Sequence, residues 1–486
     1  MRLSPRSWSC ILAAGLLPAA MGVSSCWQPD PARGLDRLQH GVYQDRLLCS
    51  TVFDELHTVW DGNDRRLADS TTDIEVIRAI ARSRYGFGVA PYDNGGAPLG
   101  LVASGNAWHL SCLTCHAGYV PGLPAKATIG VANNRLDFLT FLKDITKYAA
   151  THSINETCGF TTSTDALARE SAPQEIRAFG MTLREETATS SQCGNASVAQ
   201  SRGTTNAFIL SASYLQHRDA DLERIDCVGI PGLVSHPLDA PAWWTTARKS
   251  RFYSDAFAEK NGRALLQFAM SLQNSGSQIR AWEHDGQDML AWIDTQKAPR
   301  YPFPLDAGLA ATGRTVFESN CSRCHGTYGG GSTYPAVRAI VGTDELRLTG
   351  LSRAFKERYA ASWLGHYGKA RTELEPAGYL APPLDGVWAT APYFHNGAVP
   401  TLAHVLDSSQ RPVVWRVKDF DSYDQANAGL LIDGFAEIPP EPGRPGVELR
   451  RFIDTTRPGM SRAGHTFGDH LTPETRRALI EYLKSL

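Results

Sequence analysis

The sequence has no surplus of charge of either sign. Its 48 lysine and arginine residues are balanced by 50 aspartate and glutamate residues in a chain of 486, so the formal net charge is −2. It also lacks a long run of basic residues. Proteins that bind nucleic acid usually carry a basic patch or stripe. Nucleic acid is therefore not an expected partner.

Long apolar runs are equally scarce, and the clearest one lies near the N-terminus. Arg2 and Arg6 precede a short apolar stretch at residues 11–23, followed by Val23-Ser24-Ser25-Cys26. The stretch is too short to span a bilayer comfortably, but a basic start before an apolar run is typical of an export signal. Its end resembles a bacterial lipoprotein signal. We predict a signal peptide at 1–25 and a lipid anchor at Cys26, with ordinary cleavage nearby as the alternative.

Export implies a periplasmic or membrane-anchored protein, and no other segment of the sequence resembles a transmembrane helix.

Two copies of the pattern Cys-x-x-Cys-His are present: Cys112-Leu-Thr-Cys115-His116 and Cys321-Ser-Arg-Cys324-His325. Two sulfurs at this spacing can add to the two vinyl groups of a haem, and the next residue places its imidazole under the iron. A zinc site would need two further Cys or His ligands near each motif, and none is arranged so. The sequence predicts two covalently bound haem c groups, with the two histidines as iron ligands.

Four of the ten cysteines remain after the motifs, the signal and Cys26 are set aside: Cys49, Cys158, Cys193 and Cys227. An even number in an exported protein favours up to two disulfides. Three pairings are open, and Cys158 with Cys193 is favoured because it closes a local loop. Some of the four could instead be free and buried.

The second motif stands between two predicted helices. Asp306 can cap a helix whose apolar face leads to Cys321, and Thr472 with Pro473 can start a final helix. The apolar residues of these two helices are Leu309, Gly313, Val316, Phe317, Leu479, Tyr482, Leu483 and Leu486. Two helices crossing beside such a motif form the frame of a cytochrome c domain, which we place at residues 301–486.

Residues 27–300 form the larger part and hold the first motif. Helices are predicted near 35–58, 73–83, 135–149 and 262–273, and residues near 152–200 form an insertion rich in Ser, Thr, Asn and Gly. Strand alternation is weak throughout. We therefore expect a mainly α fold of two cytochrome c-like haem domains with long loops.

Several blocks resemble the bacterial di-haem cytochrome c peroxidase superfamily, and especially its rubber-oxygenase-like branch. They are Ala381 to Gly397 with Val399-Pro-Thr-Leu402, Gly464-His465-Thr-Phe-Gly468, Pro241-Ala-Trp243-Trp244 and the region around the first motif. The resemblance covers most of residues 85–486 and is strong in these blocks.

The resemblance implies a second iron ligand for the C-terminal haem just before the last helix. In the superfamily the residue at this place is a Met, Tyr or His, which makes His465 the expected ligand. Met460 is the alternative. His395 is expected to hold a haem propionate or backbone rather than to bind iron, although ligation by His395 or an open site also stays possible.

For the N-terminal haem, His116 is the one ligand that can be assigned, since Met181 and His217 carry no family signature. The run Arg202-Gly-Thr-Thr-Asn-Ala-Phe208 resembles the stretch that lines this pocket, so Phe208 is a candidate to shield an open face. Ordinary core packing is its alternative.

The resemblance also implies a tryptophan between the haems that assists electron exchange. Trp243 or Trp244 would fill this role, with aromatic packing as the alternative.

The sequence thus favours a haem-dependent oxidoreductase. A C-terminal electron-store haem would exchange electrons with an N-terminal haem that reacts with peroxide or dioxygen, and an organic substrate and redox partners such as small cytochromes would complete the reaction. A plain di-haem electron carrier is the alternative.

Overall fold

A computed structural model describes residues 27–123, 127–159, 201–205, 207–271, 274–375 and 377–486. The predicted signal peptide, Cys26 and most of the predicted insertion lie outside these residues. Within them, no helix is both long enough and apolar enough to cross a membrane.

The fold is mixed α and β. About 40% of the chain is helical and 14% forms strands in several small sheets, so the prediction of a mainly α chain is wrong. The α-helices are α1 Pro31–His40, α2 Ser50–Glu55, α3 Gly62–Asp69, α4 Ile74–Tyr85, α5 Leu113–His116, α6 Phe138–Ala149, α7 Ile154–Thr157, α8 Ala207–Leu215, α9 Gly262–Leu266, α10 Gly276–Ala281, α11 Glu283–Ile293, α12 Ala307–Asn320, α13 Ser322–His325, α14 Leu346–Gly350, α15 Arg353–Ala361, α16 Leu402–Leu406, α17 Gly446–Leu449 and α18 Pro473–Lys484. Short 3₁₀ helices cover Leu56–Val59, Trp243–Arg248, Gln267–Ala269, Trp363–Gly365, Lys369–Arg371, Val387–Ala389 and Ser408–Gln410.

The strands pair antiparallel in small units. They are β1 Arg46–Leu48, β2 Leu101–Ser104, β3 Ala107–Leu110, β4 Ala117–Gly118, β5 Thr128–Ile129, β6 Thr204–Thr205, β7 Leu238–Asp239, β8 Arg251–Phe252, β9 Ala258–Glu259, β10 Arg338–Ala339, β11 Tyr379–Leu380, β12 Val414–Asp424, β13 Gly429–Phe435 and β14 Phe452–Asp454. Two sheets have three strands, in the orders β1-β3-β2 and β13-β12-β14, and the other strands form two-stranded pairs.

The longest strand, β12, shows why these strands were not predicted from the sequence. The register of β12 against β13 shifts between Val417 and Asp419 and again between Asp419 and Tyr423. Each bulge breaks the alternation of inward and outward side chains on which strand prediction rests. Most other strands have only two to four residues, which is too short for any pattern.

The predicted helices around the second motif are confirmed. Asp306 caps α12 by accepting a hydrogen bond from the amide of Leu309, and Thr472 caps α18 in the same way with Pro473 in the first turn. The helices cross in close contact, because a Cβ added at Gly313 would lie 1.9 Å from a backbone carbonyl oxygen of α18. Glycine is what permits this crossing.

The first motif sits in a different frame of short strands and helices. Helices α4 and α6 confirm the predictions near 73–83 and 135–149. The predicted helix at 35–58 is instead split by β1 into α1, α2 and a 3₁₀ turn, and the one at 262–273 is shortened to α9 and a 3₁₀ turn. This frame packs around the first motif through a core that includes Trp108 and Phe141.

A disulfide joins Cys49 to Cys158 across 109 residues of chain. The favoured pairing of Cys158 with Cys193 is therefore wrong. Cys49 precedes α2 and Cys158 follows α7, and both helices pack in the same core, so tertiary packing decided the pairing rather than loop length. Cys193 lies outside the described residues, and Cys227 is also disulfide-bonded.

A shared apolar cluster joins the two parts of the chain. Val131 and Trp244 from the N-terminal part pack with Trp388 and Ala389 from the C-terminal part. Both motifs are therefore held in one packed structure.

Candidate haem sites

The first motif is wound as a single helical turn. The hydroxyl of Thr114 donates to the carbonyl of Gly100 at 2.6 Å and anchors the turn. The amide of His116 donates to the carbonyl of Cys112 at 3.1 Å. Cys112 and Cys115 are both half-buried free thiols, three residues and so about one turn apart. Burial raises the pKa of the Cys112 thiol to about 11 and that of Cys115 to about 12.

A short backbone ladder fixes the imidazole of His116. The amide of Gly130 donates to the carbonyl of His116 at 2.7 Å, and the amide of Trp243 donates to the carbonyl of Gly130 at 2.8 Å. The Trp243 ring stacks on His116 with centroids 4.8 Å apart and planes at 27°. Nδ1 of His116 lies near the carbonyl of Pro241 without forming a well-aligned hydrogen bond.

Burial lowers the pKa of His116 to about 4. The imidazole is therefore neutral at pH 7, which is the form that binds a metal. Two free thiols one turn apart and a neutral, oriented histidine fit a covalently attached haem.

The second motif follows α12 directly. The amide of His325 donates to the carbonyl of Cys321 at 3.1 Å, and Nδ1 of His325 donates to the carbonyl of Pro382 at 2.9 Å. A histidine that binds metal commonly donates its other ring N–H to a backbone carbonyl. This bond therefore leaves Nε2 as the atom that would bind iron. Burial also lowers the pKa of His325.

His465 faces His325, and their ring centroids are 6.2 Å apart. A metal midway between them would stand about 3 Å from each centroid, which suits a metal–nitrogen distance of about 2 Å. His325 and His465 are therefore the two residues that would hold the iron of a haem at this motif. Burial, with the nearby His325 and Arg411, lowers the pKa of His465 to about 4, so this imidazole is also neutral at pH 7.

The backbone around His465 is tightly held. His465 has a φ of +47°, and Gly464 before it has a φ of +75°. A Cβ on Gly464 would lie 2.1 Å from the carbonyl carbon of Gly342, so no other residue fits there. Arg411 donates to the carbonyls of Gly464 at 2.7 Å and His465 at 3.2 Å. The amide of His465 donates to the carbonyl of Val341 at 2.8 Å.

Met460 and His395, the alternatives to His465 as iron ligand, contact other residues of the protein. Met460 is a buried member of the core cluster around α12 and α18. Nε2 of His395 lies 3.1 Å from the hydroxyl of Tyr379, and the two rings stack at 4.2 Å. Burial, with the charge of Arg347, lowers the pKa of His395 to about 3. The assignment of His465 as ligand and the role of His395 toward haem both stay predictions.

Trp244 is bonded to the segment that holds the histidine of the second motif. Its indole N–H donates to the carbonyl of Asp385 at 2.7 Å. Asp385 lies three residues after Pro382, whose carbonyl holds His325. Trp243, the preceding residue, stacks on His116. The two tryptophans therefore reach one motif histidine each, Trp243 directly and Trp244 through the segment at 382–385.

Arg248 holds this connection in place. Its guanidinium pairs with the carboxylate of Asp385 at 3.1 Å and donates to the carbonyls of Thr327 at 3.1 Å and Thr333 at 2.9 Å. It also covers the ring of Tyr328 at 4.8 Å. One side chain thus ties the tryptophan segment to the loop after the second motif.

Phe208 lies in an aromatic cluster. Its ring meets Tyr253 edge-on at 4.6 Å and packs near Phe257 and Phe268. It is 7% exposed. This is core packing, and the predicted role of Phe208 in shielding a haem face stays a prediction. Met181 lies outside the described residues, and His217 is half-buried with its amide bonded to the carbonyl of Tyr214.

Sequence reasoning missed the groups that orient the motif histidines and His465. Pro382 acts through its carbonyl, which accepts from Nδ1 of His325, and Arg248 and Arg411 donate to backbone carbonyls. A backbone acceptor cannot be recognised from the side chains of the sequence. The one available signal was that Pro382 lies in a block already singled out by resemblance. In the described part of the chain, no group of three or more His, Cys, Asp or Glu side chains is arranged to hold a metal ion.

Known proteins support a cytochrome assignment for part of the chain. Residues 378–416 match a family model described as RoxA-like, cytochrome c-like. This stretch contains Tyr379, Pro382, Asp385 and His395. The match supports the rubber-oxygenase-like branch of cytochromes and haem c as cofactor.

Two relatives from Sinorhizobium fredii are similar over shorter stretches. The chain is 32% identical over 167 residues to the uncharacterized protein y4iM, a match that covers 29% of this chain and 38% of that protein. It is 37% identical over 121 residues to the uncharacterized protein y4iJ, which covers 23% of this chain and 18% of that protein. The chain therefore spans less than half the length of either relative. By its matched segment, it is similar to RoxA-like c-type cytochromes.

Proposed function

We propose that the chain is an exported oxidoreductase that carries two haem c groups, one at each motif. The observation that carries this proposal is the unequal surroundings of the two motif histidines. His325 is faced by His465 at 6.2 Å. Among the described residues, the ring that contacts His116 is Trp243, and no histidine faces it.

Ligation decides what each site can do. A haem iron with two strong protein ligands transfers electrons, whereas one with an open position can also bind peroxide or dioxygen. The C-terminal site, with His325 and His465, is the electron store. The N-terminal site, over His116, is where an oxidant reacts.

The chain contributes orientation and insulation at the N-terminal site. The backbone ladder through Gly130 and the stacked Trp243 fix the His116 ring. Buried Leu113, Ala117 and Trp243, which lie in or against the first motif, keep its surroundings apolar. An apolar site of low dielectric strengthens the electrostatic effect of any charge that develops there.

Trp243 and Trp244 form the proposed route between the sites. Trp243 touches His116, and Trp244 is bonded to the segment that holds His325. Both indoles are 7% exposed, so the route is shielded from water. Small cytochromes are the proposed external partners, an organic compound is the proposed substrate, and a lipid anchor at Cys26 would keep the protein at a membrane facing the periplasm.

Haem counting tests the first half of the proposal. The full chain would be produced in a host that attaches haem c, and the pyridine haemochrome would be measured per chain. We expect two haems in the wild type and one in each of the variants Cys112→Ser/Cys115→Ser and Cys321→Ser/Cys324→Ser. One haem in the wild type would contradict the proposal.

Reactivity tests the second half. Peroxide and dioxygen would be added to the reduced protein while the absorbance of the haems is followed. We expect carbon monoxide and cyanide to bind the N-terminal haem and to block its reoxidation. A protein that binds neither ligand, and still exchanges electrons with small cytochromes, would be a plain electron carrier.

A further inference from the structure

A buried ion cluster joins the two parts of the chain. Asp255 lies between β8 and β9, and its carboxylate accepts hydrogen bonds from both terminal nitrogens of Arg347 in α14, at 2.9 and 3.0 Å. Lys356 in α15 places its ammonium 3.2 Å from the same carboxylate. All three side chains are at most 1% exposed.

The charges in this cluster do not balance. It contains two cations and one carboxylate, so it carries a net positive charge in the interior. The nearby Asp344 forms no ion pair with Arg347 or Lys356, and its carboxylate oxygens accept hydrogen bonds from the amides of Leu346 and Ser461. In the described part of the chain, no other carboxylate pairs with Arg347 or Lys356. An uncompensated buried charge costs several kcal/mol.

One edge of the Arg347 guanidinium has no partner. The carboxylate of Asp255 binds the two terminal nitrogens of the guanidinium, and the ring of Phe208 lies against the guanidinium plane at 4.7 Å. The Nε atom is buried and makes no hydrogen bond. Nε–H and the second hydrogen of Nη2 point the same way from the planar group, and a pair of parallel N–H groups fits the two oxygens of a carboxylate.

A second unpartnered polar atom belongs to His236, which lies near Arg347. Nε2 of His236 is buried without a hydrogen-bond partner, while Nδ1 donates to the carbonyl of Val234 at 2.8 Å. The His236 ring packs on Gly350, where an added Cβ would lie 2.7 Å from Nδ1. Gly350 follows Arg347 by three residues in α14, so it lies about one turn away on the same side of the helix.

We propose that the free edge of Arg347, with His236 nearby, binds a carboxylate group. Two sources share this chemistry: a propionate of one of the two proposed haems, or a small organic acid. His395 and Tyr379, which lie near Arg347, belong to the segment that matches the cytochrome family. The propionate arm rests on the proposed function, because it requires a haem nearby.

The Arg347→Gln variant of the haem-loaded protein tests the site. Its matched control is Arg353→Gln, which removes an arginine that is 56% exposed on α15. Both haem potentials would be measured by spectroelectrochemistry. If a propionate is bound, Arg347→Gln lowers the reduction potential of one haem, because loss of a buried cation disfavours the reduced, less positive iron. The control Arg353→Gln leaves both reduction potentials unchanged.

The second arm uses acetate and succinate as probes. Isothermal titration of the wild type with each acid would show binding that Arg347→Gln abolishes and Arg353→Gln retains, with unchanged haem potentials. That result assigns the site to a free acid. Unchanged potentials in a folded Arg347→Gln protein, together with no acid binding to the wild type, would overturn the proposal.

A crystal structure of the haem-loaded wild type gives a test that does not depend on the folding of a variant. A carboxylate oxygen within hydrogen-bond distance of Nε of Arg347 supports the site. A water or an apolar group there in a protein with two haems, together with no binding of acetate or succinate to the wild type, overturns it while leaving the proposed function intact. A protein that binds no haem would instead remove the proposed function, and acetate binding would still decide the free-acid arm.

Discussion

The two Cys-x-x-Cys-His motifs have the same local pattern but different frames. Around His325, two crossing helices, a carbonyl on one side and a facing His465 give a closed arrangement. Around His116, short strands and a stacked Trp243 hold the imidazole, and no described histidine faces it. The motif fixes where a haem is attached, whereas residues far away in sequence decide which chemistry the iron can perform.

The largest expected effect comes from removing the facing histidine. His465→Ala should convert the C-terminal haem from low-spin to high-spin and allow it to bind carbon monoxide, because one iron ligand is lost. Absorbance and EPR spectra would be compared before and after adding the gas. The matched control is Met460→Leu, which should keep the low-spin spectrum and cost about 1 kcal/mol of stability. A spectrum altered in the Met460 variant alone would reverse the assignment.

Loss of the Cys49–Cys158 disulfide should weaken the frame of the first motif. The double variant Cys49→Ala/Cys158→Ala is expected to lose about 2–5 kcal/mol of unfolding free energy in that region. Guanidinium unfolding, followed at each haem band, would show an earlier transition for the N-terminal haem and an unchanged one for the C-terminal haem. Coincident earlier transitions would show that the two frames unfold as one unit.

Gly313→Ala should weaken the frame of the second motif. Its Cβ would lie 1.9 Å from the carbonyl oxygen of Ala478, so α12 and α18 must separate, at a cost of about 1–3 kcal/mol. Gly308→Ala in the same helix is the control. Gly308 is exposed, so alanine there should stabilise by about 0.5–1 kcal/mol. Thermal melting of both variants would check this, and equal melting temperatures would argue against the tight crossing.

Trp244→Phe should have a modest effect on stability and a selective effect on the rate of electron exchange. It removes the indole N–H from the carbonyl of Asp385, which costs about 1–3 kcal/mol if that carbonyl is left unpaired. Flash reduction of the C-terminal haem should be followed by slower transfer to the N-terminal haem. Trp292→Phe, next to Trp243 and away from the route to Asp385, should leave the rate unchanged. Equal rates in all three proteins would exclude this route.

Local signals predicted the second region well. The motif, the caps at Asp306 and Thr472 and the glycine at the helix crossing all act within a few residues, so the sequence showed them. Non-local features were harder to predict. The bulges of β12 break the alternation of side chains by which a strand is recognised. The Cys49–Cys158 pairing depends on how α2 and α7 pack.

The parts of the site that depend on backbone atoms could not be predicted. The resemblance pointed to Trp243 and Trp244 as residues of interest, but only the fold shows that one meets His116 and the other Asp385. Likewise, the charge imbalance around Arg347 joins residues 255, 347 and 356, which no sequence pattern connects.

The most direct test of unequal sites is the EPR spectrum of the oxidised, haem-loaded protein before and after adding cyanide. We expect one low-spin haem whose signal is unchanged by cyanide and one high-spin haem that cyanide converts to low-spin. The His465→Ala variant would then identify the low-spin signal as the C-terminal haem. Two low-spin haems, both insensitive to cyanide, would contradict the central claim that the frame around His116 leaves its iron open.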